Sequence, residues 1–222
     1  LEADYWHDKW AKESIGFHQS SANKRLQQWW PEIDIADGAE VFVPLCGKSL
    51  DMLWLHQQGH KVLGVELSQK AIEDFFNENS LEYERATEGP FEVFTGLNEA
   101  DGIKLLVGDL FELSKEHCRN CVAVYDRASL IAMNDDLRPR YAEHLAAILS
   151  PGVISLLLTI DYDVTKMSGP PFAVPDLMVT KLFNKNFDIR ELGAYSGPKR
   201  VGNLAERGLD TLEERVYRLH RL

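Results

Sequence analysis

The sequence predicts one α/β domain built on a doubly wound, mostly parallel sheet. Three observations predict it. Residues 40–68 read as strand, glycine loop, helix, strand and terminal acid. Strand-like runs at 104–107, 122–127 and 153–160 then recur, with an amphipathic segment at 137–150 between the last two, as parallel strands and their crossover helices require. Finally, 222 residues with 45% hydrophobic and 10% aromatic content suffice for one full core without metal or disulfide staples.

Taken in order, residues 3–30 form an aromatic preface. Trp6 and Trp10 stand one helical turn apart and share a face. Ser14-Ile15-Gly16-Phe17-His18-Gln19 follows, then a helical segment ending at Trp29-Trp30-Pro31. Such tryptophans serve core packing. A segment ahead of the first strand is equally free to fold over the carboxyl edge of the sheet, where ligands bind in open α/β folds. Residues 1–38 are read as that N-terminal cap segment and 39–222 as the core, within one domain.

Val41 to Leu45 is a short β-branched and aromatic run, hence a buried strand. Cys46-Gly47-Lys48-Ser49 breaks it, with Gly47 able to adopt backbone angles that cost other residues. Ser49 suits the N-cap of a helix carrying Met52, Leu53 and Leu55, and Gly59 suits its end. A second strand, Lys61 to Val65, delivers Glu66 at its carboxyl end. Glu66 lies 19 positions after Gly47, close to the roughly 20 that separate glycine loop and ribose-binding acid in Rossmann-type folds. A carboxylate there accepts hydrogen bonds from the ribose hydroxyls of an adenosine-containing ligand; an ordinary crossover ending in a surface Glu is the other reading. A P-loop would need glycine where Phe42 stands, and a G-x-G-x-x-G fingerprint would need more glycines than Gly47 alone. A ligand without a pyrophosphate, S-adenosylmethionine rather than NAD or ATP, suits the loop.

Ser68 is expected to cap a helix reaching about Asn79 with Ile72, Phe75 and Phe76 on one face. Residues 85–103 carry a short strand, Phe91 to Thr95, among turn signals, which reads as a hairpin insertion. Asp109 follows the strand at 104–107, placed for a polar ligand contact or for capping the next turn. Asp126-Arg127 closes the next strand where such folds place active-site residues; a structural ion pair is the alternative. After the apolar strand at 153–160, the loop Asp161 to Asp176 holds Ser168-Gly169-Pro170-Pro171-Phe172-Ala173-Val174-Pro175, stiff and long enough for a lid. A helix near 177–183 and strands near 187–192 and 215–219 complete the chain.

A net charge of −11 without any basic run opposes nucleic acid and anionic lipid as partners, leaving a small molecule. His117-Cys118-Arg119-Asn120-Cys121 contains a C-x-x-C, but no second pair or spaced histidines complete a zinc site, so two reduced thiols are expected. No apolar stretch reaches the length of a membrane span and no signal peptide is expected, so the cytoplasm is the expected compartment. Leu1 does not read as a natural start, so the chain is expected to be trimmed there or to begin with vector-derived residues. No exposed apolar seam is evident, and a monomer is expected.

With these residues laid out, the sequence resembles the thiopurine S-methyltransferase family, its bacterial branch in particular, over nearly its whole length. The resemblance rests on Trp6-His7-Asp8-Lys9-Trp10, Gly16-Phe17-His18-Gln19, Pro44-Leu45-Cys46-Gly47-Lys48-Ser49, Gly64-Val65-Glu66-Leu67-Ser68, Asp126-Arg127 and Gly169-Pro170-Pro171-Phe172, in that order. It implies a Rossmann-like class I methyltransferase fold with a seven-stranded sheet whose last strand is antiparallel. It implies S-adenosylmethionine contacts at Trp10, Leu45, Glu66 and Arg127, with Trp6, Phe17, Leu67 and Asp109 lining the same cleft. Position 109 is acidic here and small and polar in some relatives. Arg200 and Arg207 are candidates for a second, substrate-side arginine. The implied activity is methyl transfer to the sulfur of small aromatic or heterocyclic thiols such as thiopurines, with selenium and tellurium species associated with bacterial relatives. Arg127 is the candidate catalytic residue, orienting an electron-rich acceptor. Sulfur nucleophiles need no dedicated base, and none is apparent. An oxygen or nitrogen acceptor, usually needing such a base, and a non-catalytic S-adenosylmethionine-binding protein are the alternatives. An NAD-linked oxidoreductase loses on the missing glycines.

Overall fold

A computed structural model describes residues 3–16, 18–198 and 201–222. Its elements in chain order are α1 (Ala3–Ala11), α2 (Lys24–Trp29), β1 (Glu40–Pro44), α3 (Leu50–Gln57), β2 (Lys61–Glu66), α4 (Gln69–Glu78), β3 (Tyr83–Glu88), β4 (Phe91–Gly96), β5 (Ile103–Val107), β6 (Cys121–Asp126), α5 (Ser129–Ala132), α6 (Leu137–Ile148), β7 (Ile154–Asp161), α7 (Asp176–Phe183), β8 (Phe187–Gly197) and β9 (Leu212–Arg221).

One sheet runs in the order β3-β4-β5-β2-β1-β6-β7-β9-β8. The five strands from β5 to β7 are parallel, and β9 lies antiparallel to both of its neighbours. These and β8 are the seven expected strands. The sheet has nine because the hairpin at 83–96 does not stand apart as an insertion. It extends the sheet, with Glu92 to Thr95 paired against Val107 to Lys104. Two effects favour this. The edge of β5 would otherwise present unpaired backbone groups. Alternation along β4 also sends Phe91 and Val93 to one buried face and Phe94 to the other. At the opposite edge β8 and β9 run well past the expected 187–192 and 215–219. Gly193, Ala194 and Gly197 weaken the strand signal there, and pairing between the two strands supplies the order.

The same alternation divides the core into two layers. Phe42, Leu63, Val124 and Leu157 pack with Tyr141, Leu145 and Phe183 of α6 and α7. Val41, Val43, Leu105 and Tyr125 pack with Met52 and Leu55 of α3, Phe75 and Phe76 of α4, and Leu26, Trp30 and Ile33 of the N-terminal segment. The expected caps form: Ser49 accepts the Asp51 N–H and Ser68 the Ala71 N–H. Trp30 donates its indole N–H to buried His60 Nε2 at 2.9 Å. Cys118 and Cys121 are free and buried, and among the described residues no metal-binding cluster occurs. Nor is any described helix long and apolar enough to cross a membrane.

Strand order reverses at β1, which has β2 on one side and β6 on the other. This is the switch point at which open α/β sheets leave a crevice beyond their carboxyl ends. The chain there is Leu45 to Gly47 after β1, Glu66 at the end of β2, and Arg127 after β6.

Candidate active site

Immediately beyond β1 the backbone turns left-handed twice, at Leu45 (φ +47°) and Gly47 (φ +52°). For leucine this conformation costs about 1–2 kcal/mol, and such strain collects at functional sites. The turn is held by the Cys46 N–H donating to the Val65 carbonyl at 3.0 Å. Half-buried Leu45 faces the layer under α6. Gly64 makes room for Cys46: a Cβ there would stand 2.8 Å from the Cys46 sulfur. Burial, with Glu66 nearby, pushes the Cys46 thiol well up, so it is inert as a nucleophile.

Gly47 meets the N-terminal segment. A Cβ at Gly47 would lie 3.0 and 3.3 Å from Cζ2 and Cη2 of Trp10, so the indole occupies the space a side chain would take. Trp10 is buried at 4% exposure. Trp6, one turn earlier, is half-buried and edge-on to Tyr5. An ion pair between Lys70 and Glu13 ties the end of this segment to α4. Phe17, expected to line the same cleft, lies outside the described residues.

Glu66 is 6% exposed. Its Oε2 accepts the Gly47 N–H at 3.0 Å and its Oε1 the Ser68 N–H at 2.9 Å. Burial raises its pKa, while the N–H groups of Ser68, Gly47 and Leu67 act against the rise. Each carboxylate oxygen has a second lone pair. Two further donors from one ligand are therefore chemically suited to it, as a ribose diol offers. Half-buried Leu67 follows directly.

Asp109 lies beyond the residue of β5 that pairs with Glu66. It is exposed, and its Oδ1 accepts the Phe111 N–H at 2.9 Å, capping the next turn.

Asp126 and Arg127 do not pair with each other. Asp126 turns into the core and accepts from Tyr141 Oη at 2.6 Å and the Ser129 N–H at 3.0 Å; burial raises its pKa. Arg127 turns to α3, donating from Nε to Asp51 Oδ2 at 2.8 Å and from Nη2 to Ser49 Oγ at 3.1 Å. Burial opposes its charge, and the Asp51 carboxylate outweighs burial to hold the guanidinium above its ordinary pKa. His18 reaches the same region: burial and then Lys48 lower its pKa, with Arg127 and Asp51 also felt.

Asp51 is the residue that sequence reasoning missed. In the first turn of α3 it reads as a solvated acid near a helix N-terminus. Folded, it is 1% exposed and also accepts from the Asn23 N–H at 2.6 Å and Tyr125 Oη at 3.1 Å. Arg138 was missed too. Buried on α6, it donates to the carbonyls of Leu130 and Ala173 and to Asp135.

The proline-rich loop is pinned on both sides. Phe172 donates to the Ile131 carbonyl, and Tyr162 to that of Pro171. Arg207 donates to the carbonyls of Pro170 and Gly169 at 2.5 and 3.3 Å. Exposed Arg207 thus engages the loop backbone, and Arg200 lies outside the described residues. Asn203, in the same excursion between β8 and β9, donates to the Gly16 carbonyl at 2.6 Å.

The structure therefore brings Trp10, Leu45, Glu66, Leu67 and Arg127 to the end of the switch-point strands. Their chemistry fits S-adenosylmethionine: an acceptor pair for a ribose, an aromatic ring seated on Gly47, and a guanidinium.

A profile of the family described as Thiopurine S-methyltransferase (TPMT) matches residues 1–222. The chain is similar to a thiopurine S-methyltransferase of Azotobacter vinelandii, 45% identical over 221 residues, covering 100% of both chains. In fold it is similar to a SAM-dependent methyltransferase from Anabaena variabilis (TM-score 0.67, 14% identity, 99% of this chain and 95% of the other). A 1,6-didemethyltoxoflavin-N1-methyltransferase from Burkholderia thailandensis, solved with bound S-adenosylhomocysteine, is also similar in fold (TM-score 0.64, 13% identity, 99% and 87% covered).

Proposed function

Because the chain belongs to the thiopurine S-methyltransferase family, we propose that it methylates the sulfur of small aromatic or heterocyclic thiols, thiopurines among them, at the crevice between β2 and β6. It is an S-adenosylmethionine-dependent methyltransferase. The observation that carries the assignment of the site is the Glu66 carboxylate. It is buried at the end of β2 and bridges the Gly47 and Ser68 N–H groups, below the loop on which the Trp10 indole rests.

When bound, S-adenosylmethionine supplies a methyl group activated on a sulfonium sulfur. The chain supplies position and the exclusion of water. Glu66 accepts from the ribose hydroxyls, Leu45 and Asp109 frame the amino-acid and adenine ends of the donor, and Leu67 lines the same cleft. Trp10, packed on Gly47, forms part of an aromatic wall whose attraction for a cation is worth about 0.5–2 kcal/mol, with Trp6 and Phe17 as further aromatic contacts. Asp109, with one oxygen committed to its turn, offers the other to a polar group of the donor. Arg127 orients an electron-rich acceptor and favours its anionic form. A thiolate or thione sulfur is nucleophilic enough near neutral pH to need no base. The neighbouring acid fits that reading, since Asp126 is committed to Tyr141 and Ser129. The segment around α1 acts as a cap over this edge.

The same reading takes the enzyme as a cytoplasmic monomer, and a net charge of −11 supports small molecules rather than nucleic acid as its partners. Selenium and tellurium species are included as candidate acceptors. A donor-consumption assay across aromatic thiols, thiopurines and selenite, with phenols and amines as controls, tests the proposal. Turnover confined to phenols or amines would replace the sulfur acceptor, and donor binding without turnover would make the protein a binder.

A further inference from the structure

We propose that Asp51 is a positioning residue for methyl transfer: it fixes the Arg127 guanidinium against the glycine loop and links it to the seating of the N-terminal segment. The inference rests on the reading of Arg127 as the acceptor-side group.

The network joins three separate stretches of chain at one buried carboxylate. Oδ1 accepts the Asn23 backbone N–H ahead of α2. Oδ2 accepts Tyr125 Oη from within β6 and Arg127 Nε just beyond it. Asp51 does not cap its own helix, because Ser49 does. Stability alone is a weak reason for this arrangement. Removing a carboxylate and a guanidinium from water costs several kcal/mol, and apolar replacements of similar volume often do as well. What the pair provides is orientation. With Nε on Asp51 and Nη2 on Ser49 Oγ, the guanidinium plane is fixed at two corners. Nη1 makes no hydrogen bond among the described residues. The Arg127 side chain keeps 19% exposure against 2% for Asp51, and on the reading of Arg127 as the acceptor-side group the Nη1 edge is the one left for a ligand. A planar, rigid donor fork is suited to holding a heterocycle or carboxylate in one orientation.

The Asn23 bond adds the coupling. Asn23 caps α2 through its side chain, which accepts the N–H groups of Arg25 and Leu26, while its own N–H points to Asp51. The path from α2 to Arg127 therefore passes through one carboxylate.

The test compares Asp51→Asn, Arg127→Ala and the double variant, with S-adenosylmethionine and an aromatic thiol, alongside calorimetric binding of S-adenosylhomocysteine. Asp51→Asn is expected to lower kcat/KM about ten-fold in the wild-type background and by less than about two-fold once Arg127 is alanine. Hydrogen exchange at the Arg127 Nε proton, followed by NMR, is expected to be slow in the wild type and fast in Asp51→Asn. Equal losses in both backgrounds would assign Asp51 a merely structural role. A freely exchanging Arg127 Nε proton in the wild type would overturn the inference regardless of kinetics. Should Asp51→Asn not fold, Asp51→Glu, which keeps the charge and displaces it by a methylene, goes through the same comparison. A wild type that binds the donor analogue but loses nothing on substitution overturns the inference alone. One that binds no donor analogue overturns the functional reading, and the inference with it.

Discussion

Replacing Glu66 with Gln keeps the outline of the side chain and removes its charge, which isolates what the carboxylate does at the end of β2. In the wild type each oxygen takes one backbone N–H, Gly47 at 3.0 Å and Ser68 at 2.9 Å. Glutamine has a single acceptor oxygen, so its NH2 must face one of those N–H groups. One charge-assisted bond becomes neutral and the other is lost, at about 1.5–3 kcal/mol for a bond to a charged group. Relief of the burial that raises the Glu66 pKa offsets part of this loss, so unfolding stability is expected to change modestly. The ligand side has no such offset. A ribose losing its ionised acceptor weakens binding by about 1.5–3 kcal/mol, roughly ten- to hundred-fold in Kd. Titration calorimetry with S-adenosylhomocysteine measures the binding, and urea melts across pH measure the stability. The folded pKa lies above the unfolded one, so the unfolded chain releases its proton first. The wild type therefore loses stability as pH rises from the ordinary carboxylate range through the folded value. The Gln variant lacks that contribution. Wild-type affinity in Glu66→Gln would refute the ribose assignment, and an unchanged pH slope would refute the raised pKa.

Arg127→Ala should depress kcat/KM strongly while leaving S-adenosylhomocysteine affinity within about three-fold. It should also cost about 3 kcal/mol of stability, because the buried Asp51 charge keeps only Tyr125 and the Asn23 N–H; intact turnover would remove Arg127 from the mechanism. Gly47→Ala places a Cβ 3.0 Å from the Trp10 ring in a left-handed conformation. The backbone term of about 1–2 kcal/mol should lower Tm by about 2–8 °C, and Trp10 fluorescence should report the displaced ring. An unshifted Tm and spectrum would place Trp10 away from the loop. His60 accepts the Trp30 indole N–H, and burial lowers its pKa. As pH falls through the ordinary imidazole value of 6.5, the unfolded chain takes up a proton that the folded chain refuses. Stability should then fall by at most about 1.4 kcal/mol per pH unit from this group. His60→Gln should flatten that limb of a pH-dependent urea series, and an identical limb would exonerate His60.

The β1–α3–β2 unit was legible because its signals are local. Gly47 breaks the strand, Ser49 caps the helix, and Glu66 follows at the expected distance; α4 and α6 were read from caps and periodicity in the same way. The strand count was not legible. Whether a hairpin stands apart or extends a sheet depends on the free edge of β5, which residues 83–96 do not encode themselves. Asp51 shows the same limit at the site. Its partners lie 28, 74 and 76 positions away, and nothing within α3 distinguishes a solvated acid from one buried under a guanidinium. Asp126 and Arg127 are adjacent in sequence, yet the alternating geometry of a strand end sends one inward to Tyr141 and the other across to α3.

The excursion between β8 and β9 is a common tether. Asn203 holds the Gly16 carbonyl across 187 positions, and Arg207 holds the Pro170 carbonyl across 37. Chimeras between relatives thus have a constraint that alignment alone conceals. A crossover that imports a new amino-terminal stretch or a new prolyl loop, without the matching 201–207 excursion, leaves a foreign carbonyl facing a donor set for another backbone. The thermal stability of such chimeras should accordingly be kept only when all three stretches are transplanted together.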